Sequence, residues 1–93
     1  MTYKSKIPVE AFRFSPDWEA DAPQWFGRMV DRDIAHIDRI LEDGAIRTYG
    51  CTIFLSSGRL HAKVGDYIIR SPGGAYQVLT EEQFHKQYEE YRR

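Results

Sequence analysis

The chain has one cysteine, no long apolar run and no excess of charge of one sign. The lone Cys51 cannot form an internal disulfide, and the N-terminus lacks the apolar run of a signal peptide. No apolar stretch approaches the roughly 20 residues that a membrane span requires. The 13 basic and 14 acidic side chains give a net charge of -1, which argues against a dedicated nucleic-acid-binding protein. We therefore expect a cytoplasmic protein without a membrane segment.

Motifs for catalysis, metal binding and phosphate binding are also missing. The histidines lie 25 and 24 residues apart, at His36, His61 and His85, which is not a local metal-ligand spacing. Cys51, which follows a glycine in a predicted strand, is typical of a small buried side chain. The Gly73-Gly74 pair favours a hairpin turn over a phosphate-binding loop, which should open into a helix. We expect a protein that is not an enzyme and has no metal or cofactor, although a composite site at a dimer interface remains an alternative.

The composition fits one domain over residues 1–93, because so short a chain encloses a single modest core. Apolar residues from Ile7 to Phe14 alternate in part, which predicts an edge strand that begins near Pro8. Residues 15–23 resemble a linker. Asp21 is then predicted to cap a helix with Pro23 in its first turn. One face of that helix is apolar, with Trp25, Phe26, Met29 and Val30.

Residues 31–49 allow two interpretations. Ile34, Ile37, Ile40 and Leu41 have helical spacing, but a strand is the alternative. Glu42-Asp43-Gly44 indicates a turn or a helix end, and the β-branched and aromatic residues from Ile46 to Leu55 indicate a strand. Two further strands, Leu60–Val64 and Tyr67–Ser71, would complete an antiparallel meander.

The last helix carries the clearest local signals. Thr80 and Gln83 form a capping box that begins the helix. Phe84, Tyr88 and Tyr91 share one face, and Arg92 and Arg93 complement the negative end of the helix dipole. We therefore predict an α+β fold: a small antiparallel sheet packed by a helix from the N-terminal half and by a C-terminal amphipathic helix.

Four segments of the chain form a recognisable set: residues 6–12, Val64-Gly65-Asp66-Tyr67-Ile68-Ile69-Arg70, Gly74-Ala75-Tyr76, and Phe84 with Tyr88-Glu89. Together they resemble a family of small uncharacterised phage and prophage proteins with a PGDYG-type motif. The middle of the chain has no clear counterpart in the family. Val64 stands where the family usually has proline or another residue, and Ser71–Ala75 replaces the more usual Gly-Val-x-Gly-Glu. The resemblance implies a phage-related origin, hence the host cytoplasm, and a compact α+β fold.

The shared motif has a structural explanation in its own residues. Gly65 can adopt a positive φ in a tight turn, and Asp66 can accept backbone hydrogen bonds there. Tyr67 and Ile69 should face one side of the strand and Ile68 the other. We expect Asp66 to stabilise the turn and not to act as a catalytic group.

Two surfaces are candidates for binding. Alternate positions place Arg59, His61 and Lys63 on one face of a strand, with Arg47 and Arg70 expected nearby. This basic stripe could receive a nucleotide phosphate, a nucleic-acid backbone or an acidic protein, or could be only a solvated face. Trp18, in acidic surroundings, could anchor a partner or close one end of the core.

These features favour a small phage or prophage accessory protein that binds a host macromolecule, most simply a host protein, and inhibits a defence or regulatory component. A nucleotide-sequestering protein that uses the basic stripe is one alternative. A minor structural or assembly protein whose hairpin edge pairs with another copy, as a homo-oligomer, is another.

Overall fold

The computed structural model describes residues 10–89. Within this range three helices and six strands follow one another, and the α+β class expected from the sequence is confirmed. Their bounds are β1 Glu10–Arg13, α1 Trp18–Asp21, α2 Gln24–Asp31, β2 Ala35–Glu42, β3 Ala45–Leu55, β4 Gly58–Lys63, β5 Tyr67–Arg70, β6 Tyr76–Leu79 and α3 Glu81–Glu89. The predictions for Ile7, Pro8, Tyr91, Arg92 and Arg93 lie outside the described residues.

The strands form two antiparallel sheets instead of the single sheet that the sequence predicts. One has the order β1-β5-β6 and the other β2-β3-β4. The predicted meander is therefore right for the pairing of β3 with β4 and wrong for β5. A turn after Lys63 causes the change. Gly65 has a φ of 101°, and its N–H donates to the Phe14 carbonyl at 2.9 Å, while Phe14 N–H donates to the Asp66 carbonyl at 2.8 Å. The chain therefore leaves β4 and pairs with β1.

Most of the ambiguous segment 31–49 belongs to a hairpin of residues 35–55, so the helical alternative for Ile34 to Leu41 is wrong. Asp43 and Gly44 make its two-residue turn with φ values of 52° and 78°, the signs that a type I′ turn requires. Strand β2 pairs with β3 over eight positions, Ala35 to Glu42. Long-range pairing thus overrides the helical spacing of the isoleucines.

The predicted linker contains a short helix, α1, and this changes the start of the next one. Asp21 is the last residue of α1 and does not cap α2. Pro23 itself is the N-cap of α2, with no side-chain cap, and not a first-turn residue. This placement suits proline, because an amide proton there would lack a helical partner. The predicted apolar face is present, since Trp25, Phe26 and Met29 are buried.

Two apolar clusters lie on opposite sides of the β1-β5-β6 sheet. Ile69 and the half-buried Tyr67 pack with Phe84 and Tyr88 of α3. Ile68 faces the other way, into the main cluster. As predicted, successive residues of β5 therefore alternate between the two sides. The main cluster also contains the buried residues of α2 and the inner face of β2-β3-β4: Ala35, Ile37, Cys51, Ile53 and Ala62.

Helix α3 begins at the predicted capping box. Thr80 N–H donates to Gln83 Oε1 at 3.0 Å, and Gln83 N–H donates to Thr80 Oγ1 at 3.1 Å. Between residues 10 and 89 no helix combines the length and the apolar character that a membrane span needs.

The two sheets differ in how their faces are covered. The two apolar clusters cover both faces of the β1-β5-β6 sheet, whereas the β2-β3-β4 sheet has one face that is open.

Candidate functional site: an open basic face on the second sheet

Strand β4 places three basic side chains on the open face of its sheet. Arg59, His61 and Lys63 are exposed, whereas Leu60 is half-buried and Ala62 is buried in the core. The alternation predicted from the sequence is therefore present, because successive side chains of a strand point to opposite faces. Among residues 10–89 neither Arg59 nor Lys63 forms a salt bridge. Both cations remain available to a partner.

Strand pairing adds residues that the sequence reasoning did not select. His36, Thr52 and His61 are aligned across the three strands, and Phe54 lies opposite Arg59. The Tyr49 ring lies 6.0 Å from that of His61. We call this surface the basic sheet face and define it by His36, Tyr49, Phe54, Arg59, His61 and Lys63. Knowledge of the strand register would have been needed to find it.

A hydrogen-bonded network fixes the centre of this face. Thr52 Oγ1 donates to Asp38 Oδ2 at 2.9 Å and lies 3.2 Å from His61 Nδ1. His36 Nδ1 lies 3.2 Å from Asp38 Oδ1, and His61 Nδ1 lies 3.6 Å from Asp38 Oδ2. One carboxylate and one hydroxyl therefore position two imidazole rings from opposite edge strands.

The network determines the tautomers of both rings. An ionised Asp38 can only accept, so the Thr52 hydroxyl donates its single proton to it and must accept from His61. His36 must donate to Asp38 for the same reason. Both rings then carry their proton on Nδ1, and among the described residues neither Nε2 has a hydrogen-bond partner. The two Nε2 atoms are left for a ligand.

Gly50 and an irregularity beside it allow the carboxylate to reach across the sheet. Gly50 lies between Asp38 and Lys63 in the strand register, with the register shift at Asp38/Arg39. A Cβ atom on Gly50 would lie 2.3 Å from the Ala62 carbonyl oxygen. The absence of a side chain at Gly50 therefore permits the close approach of β3 and β4.

The geometry does not make Thr52 a nucleophile. In a hydroxyl–imidazole–carboxylate relay, the two nitrogens of the ring contact different partners, the hydroxyl and the carboxylate. Here the Thr52 hydroxyl and the Asp38 carboxylate both lie near the same ring nitrogen, His61 Nδ1. Within the described part of the chain no group of three or more metal-binding side chains is found. The arrangement instead orients ring nitrogens and cations toward the open side of the sheet.

The remaining candidates from the sequence lie elsewhere. Arg47 lies near the turn of the β2–β3 hairpin, where its Nε is 3.7 Å from Glu42 Oε1. Arg70 belongs to the other sheet, where its guanidinium carbon lies 5.7 Å from the Trp25 ring centroid. Trp18 is half-buried and packs edge-on against Phe26 at 5.7 Å. Only three of the six candidates therefore share the basic sheet face.

The two other groups considered for chemistry have structural positions. Asp66 Oδ2 accepts the Lys63 N–H at 3.0 Å, as expected for a residue that stabilises the turn. Cys51 is fully buried. Its burial, and then the charges of Asp38 and Asp66, raise the pKa of the thiol to about 12. The thiolate needed for nucleophilic chemistry is therefore disfavoured in the folded protein.

Searches against protein-family models, curated proteins and solved structures found no match to this chain. The resemblance to phage and prophage proteins therefore stays a prediction from the sequence motif. A function for this chain has to be inferred from the geometry of the described residues.

Proposed function

We propose that this is a non-enzymatic binding protein that holds an acidic surface of a partner protein on its basic sheet face. The observation that carries this conclusion is that Arg59 and Lys63, on either side of His61 on β4, form no salt bridge among the described residues. The carboxylates of an acidic partner would pair with these cations, and N–H or O–H donors beside those carboxylates would hydrogen-bond to the acceptor Nε2 atoms of the two imidazoles.

The form of the surface favours a macromolecule over a small ligand. Small-molecule sites are usually concave, whereas these side chains stand on an open sheet face. Two clefts lie among the described residues, and neither is lined by a side chain of the basic sheet face. The face also exposes Tyr49 and Phe54 beside the cations, and aromatic residues with arginine are enriched in protein–protein interfaces.

The motif resemblance supports a biological setting for this binding. A small phage or prophage accessory protein would meet its partner in the host cytoplasm. Covering an acidic surface of a host defence or regulatory protein would inhibit that protein by blocking its other contacts. This role needs no reactive group, and the exposed cations and aromatic side chains of the basic sheet face are sufficient for it.

Affinity capture from a bacterial host lysate tests this function. Wild type is compared with Arg59→Glu/Lys63→Glu, and the matched control is Arg39→Glu/Lys86→Glu, which makes the same charge change away from the face. Mass spectrometry identifies captured proteins and bound nucleotides. The expected result is one host protein retained by wild type and by the control but lost from the face variant. Capture by all three, or only of a second copy of the chain, would contradict this function.

A further inference from the structure

A second basic site lies between α2 and the β1-β5-β6 sheet. It is a cleft with a volume of about 170 Å³, and we call it the arginine cleft. Its principal lining residues are Trp25, Arg28, Met29, Arg32, Arg70 and Tyr76. None of them belongs to the basic sheet face, so a ligand in this cleft does not depend on an acidic partner bound to that face.

The fold brings these side chains together from two elements. Arg28 and Arg32 are four residues apart and lie on the same side of α2 and its C-cap. Arg70 and Tyr76 are directly opposite each other in the β5–β6 ladder. Residues distant in sequence therefore converge on the indole ring of Trp25, where Tyr76 lies 6.0 Å from it.

The charge in the cleft is only partly compensated. No carboxylate is among the described residues that line it. Arg70 lies 3.9 Å from the Glu10 carboxylate, and Arg28 contacts the neutral Gln24 amide at 3.4 Å. Among residues 10–89, one of these three guanidinium groups, that of Arg70, forms a salt bridge, and those of Arg28 and Arg32 form none.

Trp25 supplies a second, independent sign of a missing partner. Its side chain is buried, at 8% exposure, and its Nε1–H has no hydrogen-bond partner among residues 10–89. An unpaired buried donor costs roughly 1 to 3 kcal/mol, and such groups are rare in native structures. Trp25 also lines the cleft, so the resonance of its indole N–H reports on a ligand that binds there.

From these observations we propose that the arginine cleft binds a phosphate monoester. Such a group carries a charge of about -1.5 to -2 and three acceptor oxygens, which matches both the excess charge and the guanidinium forks. The cleft is smaller than the roughly 300 to 1,000 Å³ of typical ligand pockets. It therefore takes the phosphate group itself, either as inorganic phosphate or as part of a nucleotide whose remainder stays outside.

Titrations followed by the Trp25 indole N–H resonance test this assignment. The ligands are inorganic phosphate, adenosine monophosphate and adenosine, each added to ¹⁵N-labelled protein. Trp18→Phe assigns the signal, because the chain has two tryptophans. We expect saturable shifts with phosphate and with the monophosphate, and none with adenosine. Equal affinities would identify phosphate alone as the ligand, and tighter binding of the monophosphate would identify a nucleotide.

Variants separate the cleft from general charge effects. Arg28→Glu/Arg32→Glu should weaken phosphate binding by about tenfold or more, with an unchanged amide spectrum elsewhere. Arg39→Glu/Lys86→Glu, with the same charge change outside the cleft, should bind like wild type. The assignment is overturned if no saturable shift occurs at about 10 mM ligand. It is also overturned if both variants lose affinity equally or if adenosine binds as well as its monophosphate.

Discussion

Asp38 on β2 and His61 on β4 lie 3.6 Å apart although β3 separates their strands. Thr52 of the middle strand bridges them through its hydroxyl. The network of Asp38, Thr52 and His61 therefore joins side chains of all three strands and fixes the orientation of the imidazole rings.

The tautomers of the two rings test the network. In wild type we expect both His36 and His61 in the Nδ1–H form, observed by ¹⁵N chemical shifts of the imidazoles. Thr52→Val removes the acceptor for His61 Nδ1–H with little change of shape. His61 should then leave the fixed Nδ1–H state, whereas His36 should keep it through Asp38. Equal behaviour of the two rings in the variant would disprove the bridging role of Thr52.

Gly50 is predicted to be sensitive even to alanine. A Cβ atom would lie 2.3 Å from the Ala62 carbonyl oxygen, so β3 and β4 must separate locally. Gly50→Ala should lower the free energy of unfolding by about 1 to 3 kcal/mol, measured by urea denaturation. Gly73→Ala is the control, because nothing lies within 4 Å of the added atom. Similar effects of the two substitutions would show that strand approach is not the cause.

Phe84 is predicted to anchor α3. It is 2% exposed and stacks on Tyr67 with ring centroids 4.0 Å apart and planes at 2°. Phe84→Ala should lower the free energy of unfolding by about 3 to 5 kcal/mol. Ile46→Ala, at a side chain that is 73% exposed, should have little effect. If Phe84→Ala lowers the free energy of unfolding no more than Ile46→Ala does, α3 is not packed against the sheet through Phe84.

The sequence could predict the features of the fold that depend on local signals, but not those that depend on long-range strand pairing. The capping box and the alternation in β4 involve residues two or three positions apart, so the local pattern was sufficient. The hairpin of residues 35–55 was ambiguous, because isoleucines at helical spacing also fit a strand and only pairing distinguishes them. The division into two sheets depends on where the chain turns after Lys63 and which earlier strand it meets.

The candidate site could be predicted only in part, for the same reason. Arg59, His61 and Lys63 share one strand and were selected from it. Asp38 and Thr52 join them through the register of three strands, which an irregularity beside Gly50 shifts by one residue. Arg70 was grouped with the wrong surface, because the sequence did not show that β5 belongs to the other sheet.

Cys51 should be unreactive while the protein is folded. Burial and the neighbouring carboxylates raise the pKa of its thiol to about 12. Alkylation with iodoacetamide at mildly alkaline pH should therefore follow the unfolding rate, measured by mass spectrometry with and without urea. The unfolded thiol ionises above about pH 8.5, so this group should also lower stability as pH rises from there toward 12. Rapid labelling without denaturant would contradict its burial.

The central claim is tested most directly by the affinity of the captured partner for three purified proteins: wild type, Arg59→Glu/Lys63→Glu and Arg39→Glu/Lys86→Glu. Thermal unfolding first confirms that all three are folded. Placing two negative charges against an acidic partner costs several kcal/mol, so the face variant should bind at least about 100-fold more weakly than wild type. The control should retain wild-type affinity. Equal affinities of the face variant and wild type would show that the basic sheet face is not the binding surface.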